Sequence, residues 1–205
     1  MQVEASIRES YILITLFIKW FLLQTPVLIF SIVYSIIHNR FTAIWRDDSL
    51  RFRVWQTAHY LFICLLAILW IADFILYLRS TLKYLGSNIS TSVDGLSSAY
   101  RKFDAALQIV FFAAALDVLI CATVISKEYR FRRLNSRISA YLLSIIVPSI
   151  LITTLVHAIY GIYFTLLNHS SPSADLLELI FAGIPTVITL LGIVLVGLQD
   201  DWHVE

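Results

Sequence analysis

Charge is scarce in this chain. Asp, Glu, Lys and Arg together make up 14% of its 205 residues, against about a quarter in a soluble domain. That deficit excludes an ordinary soluble globule. The net charge of +1 gives no general affinity for nucleic acid. Catalytic signatures are missing too: the chain contains no H-E-x-x-H, G-x-S-x-G, Walker loop or G-x-G-x-x-G, so it is not expected to be an enzyme. Cysteine is limited to Cys64 and Cys121, both inside apolar stretches and without C-x-x-C spacing. Neither a disulfide framework nor a metal motif follows, and both read as small packing residues. The Asp47-Asp48 pair, flanked by Arg46 and Arg51, has no second acidic cluster to complete a metal site. It reads as a solvated loop, and Asp200-Asp201-Trp202-His203 reads as an anchoring Trp with a soluble tail. No metal or other cofactor is expected.

Apolar residues are abundant instead, at 59% with a mean hydropathy of +0.81, and they are grouped rather than periodic. About 20 apolar residues in a row span the hydrocarbon core as a helix, because only a helix satisfies its own backbone there. Five such stretches are expected as an all-α transmembrane bundle forming a single membrane domain. The first, 12–37, contains Lys19, Gln24 and Pro26. Next come 54–78 with His59 and Asp73, and 105–125 with Gln108 and Asp117. The last two are 139–167 with Pro148 and His157, and 179–198 with Pro185. The fourth is long for a bilayer, which predicts tilt or a bend at Pro148. Ahead of the first run stand Glu4, Arg8 and Glu9 rather than a basic n-region. That run is also too long for a signal-peptide core, so it is expected to be a retained helix.

Orientation follows from Lys and Arg in the short loops. The first loop holds Arg40, Arg46, Arg51 and Arg53, and the third holds Lys127, Arg130, Arg132, Arg133 and Arg137. On the opposite side fall Arg8 and the second-loop Arg79, Lys83, Arg101 and Lys102, while 168–178 holds no cation. Nine against five predicts an outside N-terminus and a cytosolic C-terminal tail. Asn88-Ile89-Ser90 and Asn168-His169-Ser170 both match the N-glycosylation pattern, and both fall in loops this arrangement places outside. Trp20, Trp45, Trp55 and Trp202 lie near span ends and read as interfacial anchors. Arg132 and Arg133 beside Tyr129 and Phe131 read as a topology signal, with anionic lipid headgroups as the alternative partner.

Ionisable residues at depth are unfavourable, by roughly 2.5–3.5 kcal/mol for Asp, Lys or Arg at the centre. At ~1.5 Å per residue, Lys19 lies ~10 Å and Asp73 ~8 Å from the outer side. Matched depth and opposite charge predict a Lys19–Asp73 ion pair. Asp117 lies ~18 Å deep and is too far in to snorkel. Ala113 and Cys121 flank it at four-residue spacing, a small-residue face suited to packing. On the fourth span Ser149, Thr153, His157, Gly161 and Thr165 recur every four residues. His157 sits ~15 Å deep by the same measure, which predicts an Asp117–His157 contact.

Arg137-Ile138, the run Leu142 to Pro148, the Ile159-Tyr160 pair and Ile193 to Leu198 give the last third a recognisable pattern. It resembles the closing helices of fungal seven-helix integral membrane proteins of unknown function. This chain departs from that pattern with five spans rather than seven, and the resemblance implies no activity and no site residues.

The leading expectation is a non-enzymatic structural or interaction protein of a eukaryotic endomembrane or plasma membrane. Its partners would be the lipid bilayer, other helices or a second copy of the chain. The alternative is a small transporter or receptor-like protein with a midplane polar site at Asp117 and His157. In a glycosylating membrane system, wild type is expected to run slower on a gel than Asn88→Gln. Glycans on sites engineered into the first or third loop would instead invert the topology.

Overall fold

Hydrocarbon offers no hydrogen-bonding partner to a backbone, so apolar runs of this length resolve into helices. The computed structural model describes residues 2–44, 50–86, 92–131, 137–167 and 174–199. These are helical almost throughout, with no strand among the described residues. The elements are α1 (Gln2–Ile44), α2 (Leu50–Gly86), α3 (Ser92–Phe131), α4 (Arg137–Tyr141), α5 (Val147–Tyr160) and α6 (Ala174–Gly197). π-helical turns at Leu142–Ile146 and Gly161–Leu166 join α4 to α5 and extend α5, making one continuous fourth rod. Among the described residues, five helices are long and apolar enough to cross a membrane. Trp45, Asp47, Asp48, Asn88, Arg132, Arg133, Asn168 and the 200–205 tail lie outside the described residues.

The helices overrun the apolar stretches. The second loop expected between 78 and 105 shrinks, because α2 continues to Gly86 and α3 starts at Ser92. Polar residues at a helix end keep their backbone bonds while their side chains reach water, so low hydropathy does not terminate a helix. The first π turn has a local cause. Pro148 has no N–H to give and its ring crowds the carbonyl four residues earlier. The ladder widens just before it, with the Val147 N–H bonding the Leu142 carbonyl.

α3 is the hub: α1, α2, α5 and both π turns pack on it, while α6 lies mainly along α5. The core they share includes Val33, Ile37, Leu66, Ala115, Val118, Ile125, Ile138 and Ile146, all fully buried. Phe30 and Phe111 stack between α1 and α3 with centroids 6.0 Å apart. Outward faces are apolar as well, with Leu61, Ile120 and Val194 all more than half exposed. A surface of that kind suits lipid. Trp20 and Trp55, expected as interfacial anchors, also make contacts between helices. Trp20 packs on Trp70 and Phe74, each at 4.7 Å, and Trp55 on Phe41 at 4.6 Å, so both join α1 to α2.

Glycine sets the α3–α5 separation. A Cβ at Gly161 would stand 3.2 Å from the Ala105 Cα, a backbone atom with little room to yield, whereas one at Gly197 would meet nothing within 4 Å. Gly161→Val is expected to destabilise the bundle by about 1–3 kcal/mol. Thermal unfolding in detergent should register that loss and show little change for Gly197→Val.

Candidate functional site

Three pairs of residues at four-residue spacing, each on one helix face, meet beside the hub helix. They are Tyr34 and His38 on α1, Trp55 and His59 on α2, and Asp117 and Cys121 on α3. The Asp117 Oδ2 accepts a hydrogen bond from the Tyr34 hydroxyl at 2.7 Å and another from His59 Nε2 at 3.0 Å. A carboxylate offers no proton, so the His59 Nε2 carries one. Cys121 Sγ lies 3.9 Å from the same nitrogen. Tyr34 is fully buried and His59 nearly so, but the Asp117 side chain is 41% exposed. Two buried donors therefore hold an acid that still opens outward.

An aromatic shell fixes the imidazoles. Trp55 meets His59 edge-on at 4.1 Å, and Tyr60 stacks on His38 at 5.2 Å. The His38 and His59 rings stand nearly perpendicular with centroids 5.5 Å apart. Both His38 nitrogens and the His59 Nδ1 are buried without hydrogen-bond partners among the described residues. Buried polar groups in native proteins are normally paired, so this half-satisfied cluster is unusual for a purely structural contact. Two residues beyond His38 on α1, Arg40 is 2% exposed and donates to the Tyr129 hydroxyl at 3.5 Å. It is a buried inter-helix residue, not the loop cation that charge counting took it for.

The predicted Asp117–His157 contact does not form. His157 Nδ1 instead donates to Glu178 Oε1 on α6 at 2.8 Å. The reason is helix register. Taking span ends as level placed Leu167 opposite Ala105, whereas the residue against Ala105 is Gly161. The six-residue offset slides His157 ~9 Å along α3, away from Asp117. Glu178 falls one residue before the fifth apolar stretch, 179–198, yet lies within α6. The small-residue stripe holds in part: Thr153 meets Thr186 Oγ1 and the Ala182 carbonyl, each at 3.4 Å, so it faces α6.

Nor is there a direct Lys19–Asp73 ion pair. The Lys19 ammonium sits over the Tyr77 ring, 5.6 Å from its centroid. Asp73 is fully buried, and neither carboxylate oxygen has a hydrogen-bond partner among the described residues. Lys19, Asp73 and Asp104 lie within electrostatic range of one another. The chain geometry nevertheless leads the ammonium to an aromatic face. Asn88 and Asn168 belong to the undescribed segments named above.

Among the described residues, one group of metal-binding side chains is gathered closely enough to share an ion. His59, Asp117 and Cys121 have ligand atoms all within 4.8 Å of one another. Sequence reading had Asp117 but not its partners. Tyr34 counts as apolar in a hydropathy profile, His38 lies one residue past the assumed end of the first span, and Cys121 passed as a packing residue. The repeated four-residue pairs were the available signal.

No protein-family model, curated protein or solved structure matches the chain. Double-mutant cycles test the contacts themselves. Asp117→Asn is expected to couple to Tyr34→Phe and to His59→Ala by about 0.5–3 kcal/mol, and not to His157→Ala. His157→Ala should couple to Glu178→Gln instead, with unfolding in detergent as the readout.

Proposed function

We propose that this is a multi-pass membrane protein of the transporter or receptor-like kind, with Asp117 as the anionic centre of a site for a small cation. One observation carries the reading: Asp117 lies near the middle of the α3 span and is held by two donors, yet 41% of its side chain is exposed. Facing hydrocarbon would cost at least about 2.5–3.5 kcal/mol. A water-filled crevice between α2 and α3 removes that cost and admits a solute. Binding sites near mid-membrane on facing helices are a recurrent solution in transporters. The N-terminus is outside in this proposal, which puts the crevice toward the arginine-rich cytosolic loops.

A non-enzymatic structural or interaction protein is the second reading. The same exposure favours it if a partner helix, or a second copy of the chain, covers Asp117. Thiol chemistry separates the two, since a thiol reacts only where it can ionise. In a Cys64→Ser, Cys121→Ser background, Asp117→Cys is expected to react with a charged, membrane-impermeant methanethiosulfonate. Ile120→Cys, on the lipid-facing stripe of the same helix, is expected to stay inert. An inert Asp117→Cys would remove the crevice and leave the second reading.

A further inference from the structure

We infer that the cation is a transition-metal ion of the Zn2+ class, ligated by His59 Nε2, Asp117 Oδ2 and Cys121 Sγ. The inference rests on the reading of Asp117 as a cation site and adds the identity of its ligand. Geometry comes first. Tetrahedral zinc, with bonds of ~2.0 Å to N or O and ~2.3 Å to S, sets its ligand atoms about 3.3–3.6 Å apart. The nitrogen lies 3.0 Å from the carboxylate oxygen and 3.9 Å from the sulfur. The carboxylate and the sulfur lie within 4.8 Å of each other, so side-chain rotations that move ligand atoms by up to about 1 Å reach the bound geometry.

Donor chemistry narrows the choice. One imidazole, one carboxylate and one thiol form a mixed N, O and S set that suits zinc and its neighbours. Mg2+ and Ca2+ require oxygen throughout. Asp117 and Cys121 stand one turn apart on α3 and His59 stands on α2, so the ligands come from packed helices rather than loops.

The surroundings supply the independent observation. Metal on His59 Nε2 shifts the remaining imidazole proton to Nδ1, which has no partner among the described residues. Metal-bound histidines ordinarily donate that proton to a neighbouring acceptor. His38 is 2% exposed, its ring is edge-on to His59 at 5.5 Å, and both its nitrogens are unpartnered. We assign it as the acceptor. The Tyr34 hydroxyl, 2.7 Å from the Asp117 oxygen, orients the carboxylate. Three protein ligands leave a fourth position open on the exposed side of Asp117. Closed structural zinc sites take four protein ligands, whereas an open position allows exchange, as transport or sensing requires.

The test uses the full-length protein in detergent, without a polyhistidine tag, titrated with Co2+ as the spectroscopic probe. One Co2+ per chain is expected, with tetrahedral d–d absorption and a thiolate charge-transfer band, both abolished by Zn2+. Cys121→Ser should lose the charge-transfer band, His59→Gln and Asp117→Asn should bind at least tenfold more weakly, and Cys64→Ser should match wild type. No Co2+ above a protein-free detergent blank, or a thiolate band that survives Cys121→Ser, overturns the assignment. If Asp117→Cys nonetheless reacts with the charged thiol reagent, the cation site stands and only its metal identity falls. If that residue is inert, both fall together.

Discussion

A carboxylate on a long apolar helix needs hydrogen-bond donors that hydrocarbon does not supply. Asp117 takes them from two helices at once, with Tyr34 on α1 and His59 on α2. That requirement fixes the rotation of both helices about their own axes, since each must present its donor toward α3. The aromatic contacts then follow. Once His59 faces α3, Trp55 one turn earlier is turned toward α1, where it meets Phe41 and His38. Small residues finish the arrangement, with Ala114, Ala115 and Ala122 buried on the hub helix, so that neighbouring backbones approach closely.

The two halves of the bundle differ in their ionisable groups rather than their hydroxyls. In both, hydroxyls bond backward to their own helices, as Ser31 does to Val27 and Thr154 to Ile150. On the α5–α6 side, His157 pairs with Glu178, within electrostatic reach of Asp104 on α3. Among the described residues, the α1–α3 side gathers two histidines, a thiol and an acid, and leaves three imidazole nitrogens without hydrogen-bond partners. Unpartnered imidazole groups therefore gather among the first three helices, while α5 packs on α3 and α6 packs on α5.

Run length carried most of the fold into the sequence. Five apolar stretches are local features and needed no knowledge of contacts. Asp117 was legible for the same reason, as an acid too far from either end of its run to reach water. Its partners were not, because pairing depends on relative register, and register depends on where helices truly end. Arg40 and Glu178 were assigned to loops by boundaries that hydropathy places too early or too late. Tyr34 was hidden by chemistry: its ring is apolar enough to blend into a span, while its hydroxyl is the donor that matters. Close approach at Gly161 set the register, and a lone glycine in an apolar run does not say which neighbour it admits.

The order in which these residues occur along the chain bears on how the protein is made. Synthesis delivers helices from the N-terminus, so Tyr34 and His59 are already in the membrane when Asp117 emerges. An isolated α3 would have to carry its acid into lipid unaided, at about 2.5–3.5 kcal/mol on insertion scales. Docking onto a preassembled α1–α2 hairpin provides both donors on arrival. The contact that shapes the mature site thus also eases entry of its least hydrophobic participant, and the donors-before-acceptor sequence makes membrane integration of α3 cooperative with its folding.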